Sequence, residues 1–213
     1  MNVINTIIFD FDGTIADSFQ KTFEVIIKLA KKYGFAREVK ERDIKLYKSK
    51  DVKEIIKEVN IPVFKLPFLI NKGQHELNKE IGNIKPFRGM ISVISELKNR
   101  GVILGILTSN SEGNVKQFLK YNKIDIFDFI YSGTGLFGKG TMLKKLIKNE
   151  KIEIDKTVYV GDETRDIRAA KGAGMKSVAV TWGFNTKKPL LKEKPDWIAD
   201  KPEQLLKIFT SEK

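Results

Sequence analysis

The apolar positions of this chain follow two periods, and the change between them predicts its organisation. An apolar-rich run over residues 3–9 predicts a strand. From about residue 17 to residue 85 no strand-like run follows. Phe19, Phe23, Ile26, Ile27 and Ala30 instead recur at helical spacing, as do Ile55, Ile56 and Val59. Pro62 and Pro67 interrupt this region, and a further helix is predicted over 68–81. After Pro86-Phe87-Arg88-Gly89 the pattern turns to strand and helix in alternation. Helices are predicted over 90–99, between 107 and 129, over 141–149 and over 164–172, with a last one from Pro202. Strands are predicted over 102–107, 129–131, 157–160, 177–180 and 197–198. Residues 187–195, basic and bounded by prolines, are predicted to be a connecting loop. Repeated strand–helix units predict an α/β fold with a parallel sheet covered by helices on both faces. Ligands of such sheets sit at the carboxyl ends of strands.

Two of those ends carry paired acids. Ile7-Ile8-Phe9-Asp10-Phe11-Asp12-Gly13 ends the first strand in two aspartates spaced by one residue. Residues i and i+2 of an extended chain point to one side, so Asp10 and Asp12 are expected to converge. Gly13 lets the backbone turn there. Two convergent carboxylates repel unless a cation or a shared proton lies between them, which suits a divalent metal and acid–base chemistry. A strand ending in Asp-Gly is also an ordinary turn signal. Val158-Tyr159-Val160-Gly161-Asp162 ends another strand in an acid, and Asp166 follows four residues later, on the same face of a starting helix.

Between these lie two further strand-end or loop features. Thr108-Ser109-Asn110 follows the strand over 102–107. Hydroxyls and free N–H groups leading into a helix make an anion pocket, and the same residues are favoured helix N-caps. Lys139 lies in Gly138-Lys139-Gly140, a glycine loop where a lysine is a mobile point charge for phosphate, in a chain rich in lysine.

Composition narrows the chemistry. The 213 residues hold no cysteine, which excludes disulfides, thiolate metal sites and cysteine nucleophiles. The single histidine, His75, lies in a polar stretch and is expected at the surface, so catalysis is expected to run on carboxylates. The net charge of +12 is spread along the chain, with no basic block interleaved with aromatics. It is read as solvated surface with some steering of anions, and not as a nucleic-acid site. No apolar stretch is long enough for a membrane span, and no signal peptide is evident. A cytoplasmic location is expected.

The stretch from Asp10 through Asp12, Gly13 and Thr14 to Ser18 resembles the first motif of the haloacid dehalogenase superfamily, in its phosphoglycolate-phosphatase-like branch. Thr108-Ser109-Asn110, Lys139 and the run from Gly161-Asp162 through Asp166 to Gly174 resemble the second, third and fourth motifs, in the family's order. The family often has a proline soon after its motif lysine, where this chain has Gly140-Thr141. The resemblance implies a Rossmann-like core over 1–15 and 86–213, with a helical cap domain over 16–85 inserted after the first strand. It implies Asp10 as nucleophile and Asp12 as general acid–base. It implies Mg²⁺ held by Asp10, Asp162 and the backbone carbonyl of Asp12, with Asp166 in support. Thr108, Ser109, Asn110 and Lys139 are expected to hold phosphate.

The substrate class implied is a small phosphorylated metabolite, such as phosphoglycolate, a nucleotide or a sugar phosphate. A β-phosphoglucomutase-like mutase would use the same Asp10 and Asp12, but Thr14 and Ser18 favour a hydrolase, because mutases of the family commonly carry Val and Thr there. An inorganic pyrophosphatase is a third enzymatic option. A non-catalytic basic binding protein is the alternative of another class, and four intact motifs argue against it. The cap sequence carries no readable specificity code, and the part played by Glu163 and the oligomeric state stay open.

Overall fold

The first apolar run folds as β1, Thr6–Phe9, buried at every residue. The computed structural model describes residues 4–34, 47, 50, 52–58, 60–133 and 138–210. Val3, Val59 and residues 35–46, 48, 49 and 51 of the predicted pattern lie outside the described residues. After β1 the described elements are helical as far as residue 85, with α1 at Phe19–Lys32, α2 at Val52–Glu58 and α3 at Leu66–Glu80. Alternation then begins with α4, Met90–Asn99, followed by β2, Ile103–Leu107, and α5, Glu112–Tyr121. Next come β3, Phe129–Tyr131, α6, Lys139–Asn149, and β4, Thr157–Gly161. The chain continues through α7, Thr164–Gly172, β5, Lys176–Val180, and α8, Lys187–Lys192. It ends with β6, Trp197–Ala199, and α9, Glu203–Thr210.

The six strands form one parallel sheet in the order β3-β2-β1-β4-β5-β6. This is the α/β architecture expected from alternating units. Strand neighbours alternate in the face they present. Ile7 and Phe9 pack with Met90, Ile94 and Leu97 of α4 and Phe118 of α5. Ile8 and Tyr159 pack on the other face with Leu143 and Leu146 of α6 and Ala169 and Ala170 of α7. Because both faces are covered, β1 reads as a continuous apolar run.

The strand order reverses direction between β1 and β4, so a crevice opens beyond their carboxyl ends. The register sets what meets there. Phe9 is level with Ile106 of β2 and Val160 of β4, so Asp10, Thr108 and Asp162 all follow directly on neighbouring strand ends. The two crossings into the helical segment run side by side. Ala16 and Pro86 form an antiparallel bridge, the Asp17 N–H donates to the Lys85 carbonyl at 2.9 Å, and the Phe87 N–H donates to the Ile15 carbonyl at 3.0 Å.

Two expectations are corrected. Residues 187–192 form a helix where a loop was expected. Leu190 of that helix is fully buried against Ile167, Ala179 and Ile198, and this burial outweighs the weak local signal of a lysine- and proline-rich segment. Pro189 sits in the first turn, where its missing N–H costs nothing. Lys139, expected in a loop, is the first residue of α6, which starts two residues earlier than its apolar pattern suggested.

Gly105, in the middle of β2, is required by packing. A Cβ there would lie 1.9 Å from the Phe129 ring on β3. Gly105→Ala is expected to destabilise the protein by about 1–3 kcal/mol through overpacking. The check is a lower urea midpoint with an unchanged slope; an unmoved midpoint would show that the ring has room to turn.

Candidate active site

The carboxyl ends of β1 and β4 deliver three buried carboxylates to one place. Asp10, Asp162 and Asp166 offer oxygens that all lie within 4.8 Å of one another. Each side chain is almost completely buried. The compensating charge is Lys139, whose Nζ lies 2.9 Å from Asp10 Oδ1 and 2.5 Å from Asp166 Oδ1. The first residue of α6 can do this because the helix starts against the edge of the cluster. The same Nζ lies 5.8 Å from the centre of the Tyr159 ring, whose hydroxyl donates to the Leu107 carbonyl at 3.1 Å.

The acids differ in what satisfies them. Asp162 accepts the Thr14 hydroxyl at 2.7 Å on one oxygen and the Phe184 N–H at 2.6 Å on the other. Asp166 accepts the Glu163 N–H at 2.9 Å and completes a reciprocal cap at the start of α7. Asp10 has one oxygen on Lys139, while its Oδ2 is buried without a hydrogen-bond partner among the described residues. A buried carboxylate oxygen left in this state is costly unless a further group meets it. Burial pushes the Asp10 carboxyl up to about 7, against the pull of Lys139 in the other direction. Burial likewise raises Asp162 far above the usual carboxylate range, with Asp10 adding to the rise. Burial works to lower the Lys139 ammonium, but attraction to Asp10 and Asp166 outweighs it and the group is raised. Burial makes this acidic cluster reluctant to ionise, a divalent cation would offset the charge when it does, and the donor set is all oxygen, as hard cations require. The residues present therefore fit a divalent metal.

Asp12 stands apart from that cluster. Its carboxylate accepts the Ser18 hydroxyl at 2.7 Å and the Asn110 amide at 2.9 Å. Burial raises its pKa, and the two hydrogen bonds hold it back. Ser18 occupies the N-cap position of α1 but makes no capping bond; its hydroxyl goes to Asp12 instead. The backbone turns between the two aspartates and α1 at Gly13, with φ of +78°. A Cβ on Gly13 would lie 2.2 Å from Asp162 Oδ2, so the loop after β1 can approach β4 only without a side chain here.

Thr108, Ser109 and Asn110 follow the end of β2, and Ser109 and Asn110 line the cavity beside Asp12 while Thr108 is fully buried. The helix that follows is capped by Ser111, which accepts the Asn114 N–H, so these three residues are not its cap. The Thr108 hydroxyl accepts the Asn110 N–H at 3.0 Å, which shapes the turn. The Asn110 side-chain oxygen Oδ1 accepts the Ser111 N–H and the Asn114 side-chain amide, which points the Asn110 amide nitrogen at Asp12. Ser109 offers its carbonyl to Gln74 of α3 at 2.8 Å, tying the helical segment to the sheet edge. His75, next to Gln74, is exposed, as its polar surroundings suggested.

Sequence patterning overlooked two groups. Arg165 lies at the site and bonds Glu163 Oε1 at 2.5 Å and Ser109 Oγ at 3.3 Å, and Glu163 raises its already high pKa although burial opposes this. Phe184 and Asn185 come from the loop after β5; the Asn185 side-chain oxygen Oδ1 accepts the Thr164 N–H, and the Asn185 backbone N–H donates to the Asp162 carbonyl. The rule that ligands gather at strand ends could have found this loop, since it follows β5 directly.

The fold and this arrangement define a class. The family model described as haloacid dehalogenase-like hydrolase matches residues 7–180, and the chain belongs to that family. Within it, the chain falls in the phosphoglycolate-phosphatase-like branch, and it is a phosphatase. It is 32% identical over 208 residues to a phosphoglycolate phosphatase of Synechococcus elongatus, covering 97% of this chain and 98% of that one. It is 25% identical over 212 residues to the pyrophosphatase PpaX of Bacillus mycoides, with 97% of each covered. A solved haloacid dehalogenase-like hydrolase of Streptococcus pneumoniae shares the fold with a TM-score of 0.82 at 23% identity, over 97% of this chain and 99% of that one.

Proposed function

We propose that this chain is a Mg²⁺-dependent phosphatase that hydrolyses a small phosphate monoester through an aspartyl-phosphate on Asp10. The observation that carries the reading is Asp10 itself, one oxygen held by Lys139 and the other buried without a partner at the head of the central strand. A carboxylate so placed is oriented for attack on phosphorus. Asp10, Asp162 and the backbone carbonyl of Asp12 would hold the metal, with Asp166 in support. When bound, Mg²⁺ would offset repulsion between the anionic nucleophile and the phosphate dianion.

Asp12 then acts as general acid and base. Its carboxyl, raised by burial, can carry the proton that the leaving alkoxide takes as the P–O bond breaks. The resulting carboxylate draws a proton from the water that attacks the aspartyl-phosphate, releasing inorganic phosphate and freeing Asp10. Ser18 and Asn110 keep Asp12 facing the reaction. Thr108, Ser109, Asn110 and Lys139 would spread the charge of the transferring phosphoryl group. Residues 16–85 would form the cap over the core of 1–15 and 86–213, and the paired crossings at Ala16 and Pro86 would be its hinge. The Synechococcus relative favours phosphoglycolate as substrate, and the PpaX relative supports pyrophosphate as a second reading.

Phosphate release from a panel containing phosphoglycolate and pyrophosphate is expected with Mg²⁺, to vanish in EDTA and to return when Mg²⁺ is restored. Release that persists unchanged in EDTA would remove the metal from the proposal.

A further inference from the structure

A cavity of about 260 Å³ runs from the catalytic end of the sheet into the helical segment. Asp12, Ser109 and Asn110 stand at its sheet end, so it is continuous with the place where a phosphate would react. Beyond them its wall is mostly apolar, with Thr22, Tyr47 and Gln74 as its polar members. Phe23 and Ile27 of α1, Leu69, Ile70 and Leu77 of α3, and Phe184 from the β5 loop all face it. Among the described residues, one cationic side chain lines the cavity, Arg165, and its guanidinium is engaged at 2.5 Å by Glu163, which lines the cavity too.

This lining has a consequence for the leaving group. A carboxylate carried into the apolar part would lose its hydration there, and at the sheet end it would meet Glu163 beside Arg165, the one described cation of the lining. An uncharged apolar chain would instead remove its own surface and that of the wall from water. We infer that the enzyme takes phosphate monoesters of uncharged, largely apolar alcohols in preference to esters whose alcohol carries a carboxylate. The inference rests on the phosphatase reading but departs from phosphoglycolate, the substrate that the Synechococcus relative favours, because of the cavity wall.

The test is a series of n-alkyl phosphates from ethyl to octyl, with phosphoglycolate and acetyl phosphate alongside, read as kcat/KM in Mg²⁺. Leaving-group acidity hardly changes along the alkyl series, so its slope reports burial. kcat/KM is expected to rise by about fourfold per methylene until the cavity is filled, from the usual transfer free energy of a methylene, and hexyl phosphate is expected to exceed phosphoglycolate. Ile70→Lys, which puts a cation on the wall, is expected to shift the hexyl-to-phosphoglycolate ratio by at least about tenfold towards phosphoglycolate. A flat alkyl series, or phosphoglycolate above hexyl phosphate in the wild type, overturns the inference. If acetyl phosphate is cleaved in either of those cases, the phosphatase reading survives and only the leaving-group assignment falls. If no ester releases phosphate, both fall together.

Discussion

Asp10→Asn is expected to lower kcat by on the order of 10⁴-fold or more while the protein stays folded. Removal of a nucleophile that acts in concert with its neighbours costs roughly this much in enzymes with covalent intermediates. An amide has the shape of the carboxylate but cannot form the acyl phosphate. Stability argues in the other direction. Asp10 sits in a buried cluster with Asp162 and Asp166, its carboxyl pushed to about 7 by that burial. The neutral amide removes one of three mutually repelling acids, and Lys139 keeps its bond to Asp166. The metal-free variant is therefore expected to melt at the wild-type temperature or above it. Single-turnover phosphate release and a thermal melt in EDTA measure the two halves. A variant with kcat within tenfold of wild type would end the assignment of Asp10 as nucleophile.

Lys139→Met is expected to lose both activity and stability. The lysine bridges Asp10 and Asp166 in a site closed to solvent, with all three side chains at most 3% exposed. Removing one partner from a buried ionic group leaves uncompensated charge, at a cost of about 3–5 kcal/mol. For a chain of this size that corresponds to a fall of about 10 °C in Tm. The sign of the pH dependence follows from the shift already present. Burial raises Asp10 above its unfolded value, and Lys139 is the main influence holding it down. Without the lysine the folded pKa rises further, so stability is kept below the unfolded carboxylate pKa and lost as pH rises through the folded one. The gap between variant and wild type should be smaller at pH 5 than at pH 8. Adding Asp166→Asn should recover part of the stability and none of the turnover. A single variant that melts within about 2 °C of wild type would show that Lys139 does not carry the charge balance of the site.

The strand-end acids were legible because the signal is local. A run of apolar residues ending in Asp10 states the strand and the acid at its end, and Gly161-Asp162 repeats the statement on β4. The expected convergence of Asp12 on Asp10 is not seen, because the chain turns after Phe9 and Asp12 bonds Ser18 and Asn110. Lys139 was harder. Its local context suggested a loop, and only the closing of α6 against β1 and α7 shows one lysine among many meeting two aspartates. The N-cap preference of Thr108, Ser109 and Asn110 was a real alternative until Ser111 proved to be the cap. Residues 187–192 read as loop because a six-residue helix has too little pattern of its own, and Leu190 decides the matter by burial.

The sequence by itself determined the class of architecture, the sheet's apolar strands and the acids at two of their ends, since each depends on neighbours a few residues away. Only the tertiary structure decided which groups meet. The parallel register brings Asp10 beside Asp162, the start of α6 brings Lys139 to both Asp10 and Asp166, and the β5 loop brings Phe184 onto Asp162. These contacts join positions up to about 150 residues apart, and their energies depend on burial that no local stretch encodes. The apolar cavity is of the same kind, assembled from helices and a distant loop whose stripes each looked like ordinary core.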